Sequence, residues 1–159
     1  MASCSFHAGN SYAPTVTLSV WETGHSTSAN TSNVSYELSI SRPSNVSSSA
    51  SKNYSVTING SRVKSGSTTI GGSGKKVICS GSVNNIAHNS DGSKTISFSF
   101  SLDYGLTWDG VKLPATATGS GSLTLTKIPR KAPITLCSGS TFGQKITVKY
   151  TPPTSAYTY

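Results

Sequence analysis

Apolar residues in this chain recur at every second position, and this alternation constrains the fold more than any other feature. It extends over five segments, at 16–20, 34–40, 54–58, 96–102 and 115–125. Successive side chains of a β-strand point to opposite faces, so each segment has one apolar face and one hydroxyl-bearing face. No segment shows the spacing of an amphipathic helix. The sequence therefore predicts an all-β fold.

Composition alone leaves a disordered polar coil as an alternative. Ser and Thr account for 52 of the 159 residues, whereas Leu, Ile, Val and Phe account for only 31. The net charge of +8 is too small to keep such a chain unfolded by self-repulsion. Since Ser and Thr alternate with the apolar residues, they form the solvent-facing sides of strands. We predict an antiparallel β-sandwich of the jelly-roll or immunoglobulin-like type.

Turn sequences separate the predicted strands. Asn59-Gly60 lies between two alternating segments and is the strongest β-hairpin signal in the chain. A polar segment at 89–93 predicts a second connection, and the glycine-rich segment at 71–74 predicts a hairpin loop. The glycine-rich segment lacks the spacing of a phosphate-binding loop.

The composition changes after the last alternating segment. Two prolines flank a basic pair at 129–133, which is typical of an interdomain linker. We predict a β-sandwich domain over 1–128, a linker over 129–134, and the first strand or strands of a second β domain over 135–159. That second domain would be incomplete, or completed by a partner chain. The alternative is a C-terminal strand added to the first sandwich.

Several classes of function lack their usual sequence features. The three cysteines form neither a disulfide framework nor a metal-ligand pattern, and the three histidines have no zinc spacing. The basic residues are scattered, whereas nucleic-acid binding favours a dense basic patch. No apolar segment is long enough to span a membrane, and the N-terminus has no signal-peptide pattern. We predict no catalytic residues, no metal or cofactor, no nucleic-acid or membrane partner, and no enzymatic activity.

Aromatic and acidic residues in and beside loops are the candidate functional residues. We predict that Trp21, Tyr104 and Trp108 are exposed and contact either a glycan or another subunit. Asp103 and Asp109 flank the loop that contains Tyr104 and Trp108. These two carboxylates could line a shallow groove. A glycan-cleaving enzyme remains an alternative only if these two carboxylates converge on one cleft.

Four motifs occur in order along the chain: Trp21-Glu22, the strand at 30–36, the turn at 88–94 and the ending at 123–130. With these motifs in this order, the chain resembles over residues 15–131 a family of tail-associated minor structural proteins of siphophages that infect Gram-positive bacteria. The resemblance implies a location in the virion, assembly in the bacterial cytoplasm, and further immunoglobulin-like β domains after the last motif. It supplies no catalytic residues.

The resemblance and the residue patterns together lead to one functional prediction. The protein is expected to be a bacteriophage virion structural protein of the tail or a fibre, serving assembly and host-surface adhesion. Its expected partners are other virion proteins, copies of itself in a homo-oligomer, with a trimer as one candidate, and a host cell-wall glycan. The alternative is a carbohydrate-binding module that recognises bacterial cell-wall glycans.

Overall fold

The computed structural model describes residues 1–8, 13–105, 107–108, 111–130, 135–136 and 148–149, and these residues form β-strands joined by turns and loops. Most of them build two four-stranded antiparallel sheets. The strands are β1 (Ala2–His7), β2 (Thr15–Ser26), β3 (Thr31–Val46), β4 (Ser51–Ile58), β5 (Ser61–Thr69), β6 (Gly72–Ala87), β7 (Thr95–Asp103), β8 (Thr107–Trp108), β9 (Val111–Lys112), β10 (Thr116–Thr124), β11 (Thr135–Leu136) and β12 (Val148–Lys149).

The two sheets face each other across one apolar core. The first sheet has the strand order β1-β2-β3-β6, and the second has the order β10-β7-β4-β5. The five alternating segments of the sequence lie in β2, β3, β4, β7 and β10, and the last segment extends just beyond both ends of β10. The predicted antiparallel β-sandwich is therefore confirmed. Buried residues of both sheets form the core: Val16, Leu18, Val20, Val34, Tyr36, Leu38, Ile40, Val56, Ile58, Ile96, Phe98, Phe100 and Leu102.

The hairpin predicted at Asn59-Gly60 is confirmed. It joins β4 to β5, with Ile58 paired to Ser61 across the turn. Asn59 has φ 51° and Gly60 has φ 79°. Positive φ at both central positions gives a turn whose twist matches that of the flanking strands.

Glycines in three of the four edge strands lie opposite aromatic residues of the neighbouring inner strand. Four such pairs occur: Phe98 with Gly121, Phe100 with Gly119, Tyr54 with Gly66 and Tyr36 with Gly81. Each ring lies over its glycine, so closely that a Cβ there would fall within 3.0 Å of a ring or hydroxyl atom. Aromatic rings thus cover the positions where the edge strands have no side chain. These pairs enlarge an apolar core that is built from few residues.

We expect Gly119→Ala to destabilise the sandwich by about 2 kcal/mol, because overpacking displaces a core ring. An added Cβ would lie 2.6 Å from Cε1 of Phe100 and 3.3 Å from Sγ of Cys4. Gly24→Ala is the matched control in β2, since nothing lies within 4 Å of its added Cβ. Urea denaturation measures both variants. Equal midpoints would contradict the role given to the aromatic–glycine pairs.

The glycine-rich segment at 71–74 is not a hairpin loop, so that prediction is wrong. It carries the chain from β5 in the second sheet to β6 in the first sheet. The buried Arg42 side chain holds it, donating from Nε to the Gly74 carbonyl at 3.0 Å, from Nη2 to the Ser73 carbonyl at 2.9 Å, and from Nη1 to the Gly71 carbonyl. A single cation thus fixes the backbone of the crossover.

A register shift in the β3–β6 pairing changes which side chains of β6 face the core. The partner of Leu38 is Cys79, and the partner of Ser39 is Val77, so Ile78 is the extra residue. Cys79 is half-buried and packs against the core, but Val77 is 47% exposed. The bulge thus gives Val77 and Cys79 different environments, although they are two residues apart in the sequence.

The domain division predicted near 129–134 stays a prediction. The described chain leaves the sandwich through residues 125–130, and beyond them only β11 and β12 are described, paired antiparallel with each other. The rest of the predicted second domain lies outside the described residues.

Candidate functional site

The outward-facing side of the second sheet is covered by small polar side chains. Its strands place Ser65, Ser55, Ser101 and Thr118 side by side in one row across the sheet. The next row holds Arg62, Thr57, Ser99 and Ser120. The inward-facing neighbours on β4 and β7 are the buried core residues, so the alternation seen in the sequence produces this face directly. Nearly every side chain on it can donate or accept a hydrogen bond.

A groove of about 570 Å³ lies on this face across β4, β5 and β7. We call it the polar groove. It is lined by Asn53, Tyr54, Ser55, Arg62, Ser65, Gly66, Ser67, Ser101 and Asp103. Its volume falls in the range of ordinary ligand sites, about 300–1,000 Å³.

The two charged residues of the groove stand at different ends of it. Arg62 pairs with Thr57, whereas Asp103 follows Leu102, the partner of Tyr54. Three to four residues of β4 therefore separate them, or roughly 10–13 Å along the strand. Both side chains belong to exposed residues, and neither has a hydrogen-bond or ion-pair partner among the described residues.

A bulge in β5 brings Arg62 into the groove. Val56 pairs with Lys64 and Thr57 pairs with Arg62, so Val63 is the extra residue. Val63 packs against the core, and Arg62 consequently faces outward beside Ser65 and Ser67. Regular alternation would have placed Arg62 on the face opposite to Ser65.

Of the predicted functional residues, Asp103 lies in the polar groove and Tyr104 does not. The prediction that Tyr104 is exposed is wrong, because its relative exposure is 0%. Its hydroxyl donates to the Pro14 carbonyl at 2.7 Å, and its ring packs edge-on against Phe6 at a centroid distance of 5.6 Å. Burial raises the pKa of Tyr104 to about 12. Tyr104 joins the end of β7 to the chain before β2 and to β1.

Of the remaining predicted residues, the structure describes Trp21 and the backbone of Trp108. Trp21 is partly exposed on the outward face of the first sheet, where it pairs with Ser35. The backbone of Trp108 belongs to β8, which pairs with β9. Asp109 lies outside the described residues. The roles predicted for Trp21, Trp108 and Asp109 therefore stay predictions, and so does the convergence of Asp103 with Asp109.

A second cluster of polar side chains lies at one end of the sandwich, around Glu22. Its carboxylate accepts hydrogen bonds from the Ser32 hydroxyl at 2.7 Å, from the Thr126 backbone N–H at 2.8 Å and from the Thr126 hydroxyl at 2.7 Å. Glu22 follows the inward-facing Val20 by two residues, and it links β2 with the start of β3 and the segment after β10.

The hydrogen bonds to Glu22 together outweigh the effect of burial on the pKa of its carboxyl group. Burial acts to raise the pKa of the Glu22 carboxyl, but the hydrogen bonds from Thr126 and Ser32, helped by the charge of His25, bring this pKa below its usual value. The ionised form is thus the one that the folded chain favours.

His88 also belongs to this cluster and connects it to the turn that contains Gly92. Its Nδ1 donates to the Gly92 carbonyl at 2.8 Å, and its Nε2 lies 2.8 Å from the Ser32 hydroxyl oxygen. The Ser32 hydroxyl has a single proton, which it donates to Glu22. The Ser32 hydroxyl thus lies between the Glu22 carboxylate and the His88 ring.

The Glu22–Ser32–His88 cluster does not have the geometry of a catalytic triad. In a triad the acid orients the histidine, but here the carboxylate binds the serine, and the histidine is held by a backbone carbonyl. Ser32 has 0% relative exposure, so no substrate reaches its hydroxyl. The cluster is structural. The part of the chain that the structure describes also holds no group of three or more His, Cys, Asp or Glu side chains placed to bind a metal.

Comparison with known families identifies the chain. A family model described as a siphovirus protein of unknown function (DUF859) matches residues 3–159. The chain belongs to this siphovirus family. The siphophage family resemblance seen in the four sequence motifs is therefore confirmed. Among the described residues, no helix is long and apolar enough to cross a membrane.

Other comparisons add little to the family assignment. No curated protein matches the chain. Among solved structures, the chain is similar to part of a β-glucuronidase of Parabacteroides merdae, with 12% sequence identity and a TM-score of 0.40. The similarity covers 84% of this chain but only 15% of that enzyme.

Proposed function

We propose that this siphovirus protein is a structural component of the virion, located in the tail or in a tail fibre, where it serves assembly and host-surface adhesion. The observation that carries the proposal is the family match over residues 3–159. A siphovirus particle consists of a head and a long tail, and the order of the four motifs favours the tail. The proposed role is not enzymatic.

The proposed partners are other virion proteins and further copies of this chain. Among the described residues, four strands pair on one side only: β1 and β6 in the first sheet, and β5 and β10 in the second. Edge strands of this kind are where sheets join in assemblies unless they are blocked. β1 and β10, which lie against each other, carry no lysine, arginine or acidic side chain, whereas β5 carries Arg62 and Lys64 and β6 carries Lys75 and Lys76. This distribution favours the β1–β10 side of the sandwich as the place where a neighbouring copy binds, because edge lysines oppose strand pairing.

The second candidate function is that of a carbohydrate-binding module, and the polar groove favours it. Glycans present many hydroxyl groups, and the groove offers hydroxyl, amide, guanidinium and carboxylate groups on a rigid sheet. The two candidates are compatible, since a tail component that binds a host glycan performs both. Trp21 and Trp108 remain proposed contact residues for a glycan or a neighbouring subunit.

Quantitative mass spectrometry of purified phage particles tests the first candidate. We expect peptides of this chain to copurify with the major tail protein through a density gradient, at a fixed number of copies per particle. A phage-encoded protein found only in the infected-cell lysate serves as the negative control. Absence of this chain from purified particles, with normal levels in the lysate, would contradict the proposal.

A further inference from the structure

We propose that the polar groove binds an anionic, hydroxyl-rich polymer, a glycan or polyol chain that carries phosphate or carboxylate groups. This inference deepens the proposed adhesive role and rests on it. Arg62 would bind the anionic group, and Asp103 and Asn53 would bind hydroxyl groups farther along the polymer. The serines between them would hydrogen-bond to the connecting units.

The first argument concerns exposed charged side chains that pair with no other described residue. Arg62 is a planar donor whose geometry matches phosphate and carboxylate oxygens in pairs. In this chain it has no partner among the described residues, although Asp103 belongs to the same groove. The strand register keeps the backbone positions of Arg62 and Asp103 roughly 10–13 Å apart along β4. A ligand can therefore use both without first breaking an ion pair.

The second argument concerns the spacing of the two charges. A group bound to Arg62 does not reach Asp103 unless the ligand extends over several hydroxyl-bearing units. The floor between the two charges consists of Ser55, Ser65 and Ser101, whose short side chains leave space for such a ligand. At this separation, salt screening at physiological ionic strength weakens the repulsion between Asp103 and the anionic group.

The third argument concerns the charge of the chain as a whole. Its 13 Lys and Arg residues exceed its 5 acidic residues and give a net charge of +8. A positive field of this kind attracts anionic polymers over distance and repels cationic ones. The field gives no specificity, however, because the basic residues are scattered. Specificity would come from the groove.

Two-dimensional ¹H–¹⁵N NMR titration of the whole chain tests the inference with three polymers. Poly(glycerol phosphate) supplies phosphate, hyaluronan oligosaccharides supply carboxylate, and dextran oligosaccharides supply hydroxyl groups alone. We expect at least one anionic polymer to shift the backbone resonances of Asn53, Ser65 and Ser101 and to bind at least about tenfold more tightly than dextran. The two anionic arms distinguish phosphate from carboxylate as the recognised group.

Three variants separate the groove from general charge attraction. Arg62→Gln should weaken binding by about tenfold, and Asp103→Asn by about threefold. Lys127→Gln is the matched control, since it removes the same charge from an exposed residue outside the groove and should change binding less than twofold. All three side chains belong to exposed residues, so the variants keep the fold.

Three results would overturn the inference: binding of none of the polymers, equal binding of dextran, or an equal loss in Lys127→Gln and Arg62→Gln. None of these results depends on where the protein resides. If the chain is present in purified particles but the groove fails this test, the virion role survives and the ligand assignment does not. If the groove binds but the chain is absent from particles, the virion role is the one that fails.

Discussion

Replacing Gly92 with alanine is expected to destabilise the protein by about 4 kcal/mol, a large part of the stability of a domain of this size. Gly92 has φ +80°, and an added Cβ would lie 1.8 Å from the Ile128 carbonyl oxygen. The clash is with backbone, so no side-chain rotation relieves it. Moving residue 92 would also strain two hydrogen bonds to its carbonyl, from Ile128 N at 2.9 Å and from His88 Nδ1 at 2.8 Å.

Gly60→Ala is the matched control for Gly92→Ala. Gly60 has nearly the same φ, +79°, but nothing lies within 4 Å of its added Cβ. It should therefore show only the backbone penalty of a left-handed alanine, about 1 kcal/mol. Urea denaturation at neutral pH gives both free energies of unfolding. A loss in Gly92→Ala no larger than that in Gly60→Ala would mean that residues 125–128 do not pack against this turn.

The second large effect is expected for Glu22→Gln, which should cost about 2 kcal/mol at pH 7. Glutamine has the same shape, but it loses the charge that strengthens the hydrogen bonds from Ser32 and Thr126. It also offers an N–H₂ group to donors that need an acceptor. The three segments that Glu22 joins are then held less tightly.

The effect of Glu22→Gln should depend on pH in a definite direction. The pKa of the Glu22 carboxyl is lower in the folded chain than its usual value, which is about 4.3 in an unfolded chain. The carboxylate therefore contributes its stabilisation above about pH 4.3, and this contribution is lost as the pH falls through the folded-state pKa. The difference in free energy of unfolding between wild type and Glu22→Gln should shrink accordingly on acidification.

Glu37→Gln provides the control for Glu22→Gln. Glu37 forms a surface ion pair with Lys75 at 2.8 Å, and the Lys75 side chain is 62% exposed. Surface pairs of this kind contribute about 0–1 kcal/mol, so we expect a loss of about 0.5 kcal/mol. Denaturation curves at pH 7 and at pH 3 measure both variants. Equal losses, or a loss in Glu22→Gln that does not shrink at pH 3, would contradict the account of the Glu22 cluster.

Much of the fold could be predicted from the sequence because the core follows strict alternation. The inward positions of β2, β3, β4 and β7 were identified correctly, and so was the Asn59-Gly60 turn. β1 was missed because its inward residues, Ala2, Cys4 and Phe6, are mostly small and only partly buried. The crossover after β5 was taken for a hairpin because glycines alone do not tell which sheet the next strand joins.

The candidate site was less predictable than the fold, for two physical reasons. Tyr104 has the position of an exposed aromatic residue beside a loop, but a tyrosine there is buried as readily as exposed when its hydroxyl has a partner such as the Pro14 carbonyl. Arg62 reaches the groove only because of a bulge at Val63, and bulges leave no reliable mark in a single sequence. The sequence did identify Asp103.

The Glu22 cluster could not be predicted from spacing. Glu22, Ser32, His88 and Thr126 lie far apart along the chain and meet only because β2, β3, the turn after β6 and the segment after β10 share one end of the sandwich. One feature did point to Glu22. It continues the inward series of Val16, Leu18 and Val20, and a carboxylate in such a series needs hydrogen-bond donors.

Electron microscopy of labelled particles can show whether this siphovirus protein is part of the phage tail, as we propose. Purified phage would be incubated with gold-labelled antibody fragments raised against the sandwich domain and imaged in negative stain. We predict gold on the tail or its fibres at a constant position from particle to particle. Gold confined to the head, or particles without gold although the same fragments bind the purified protein, would contradict the claim.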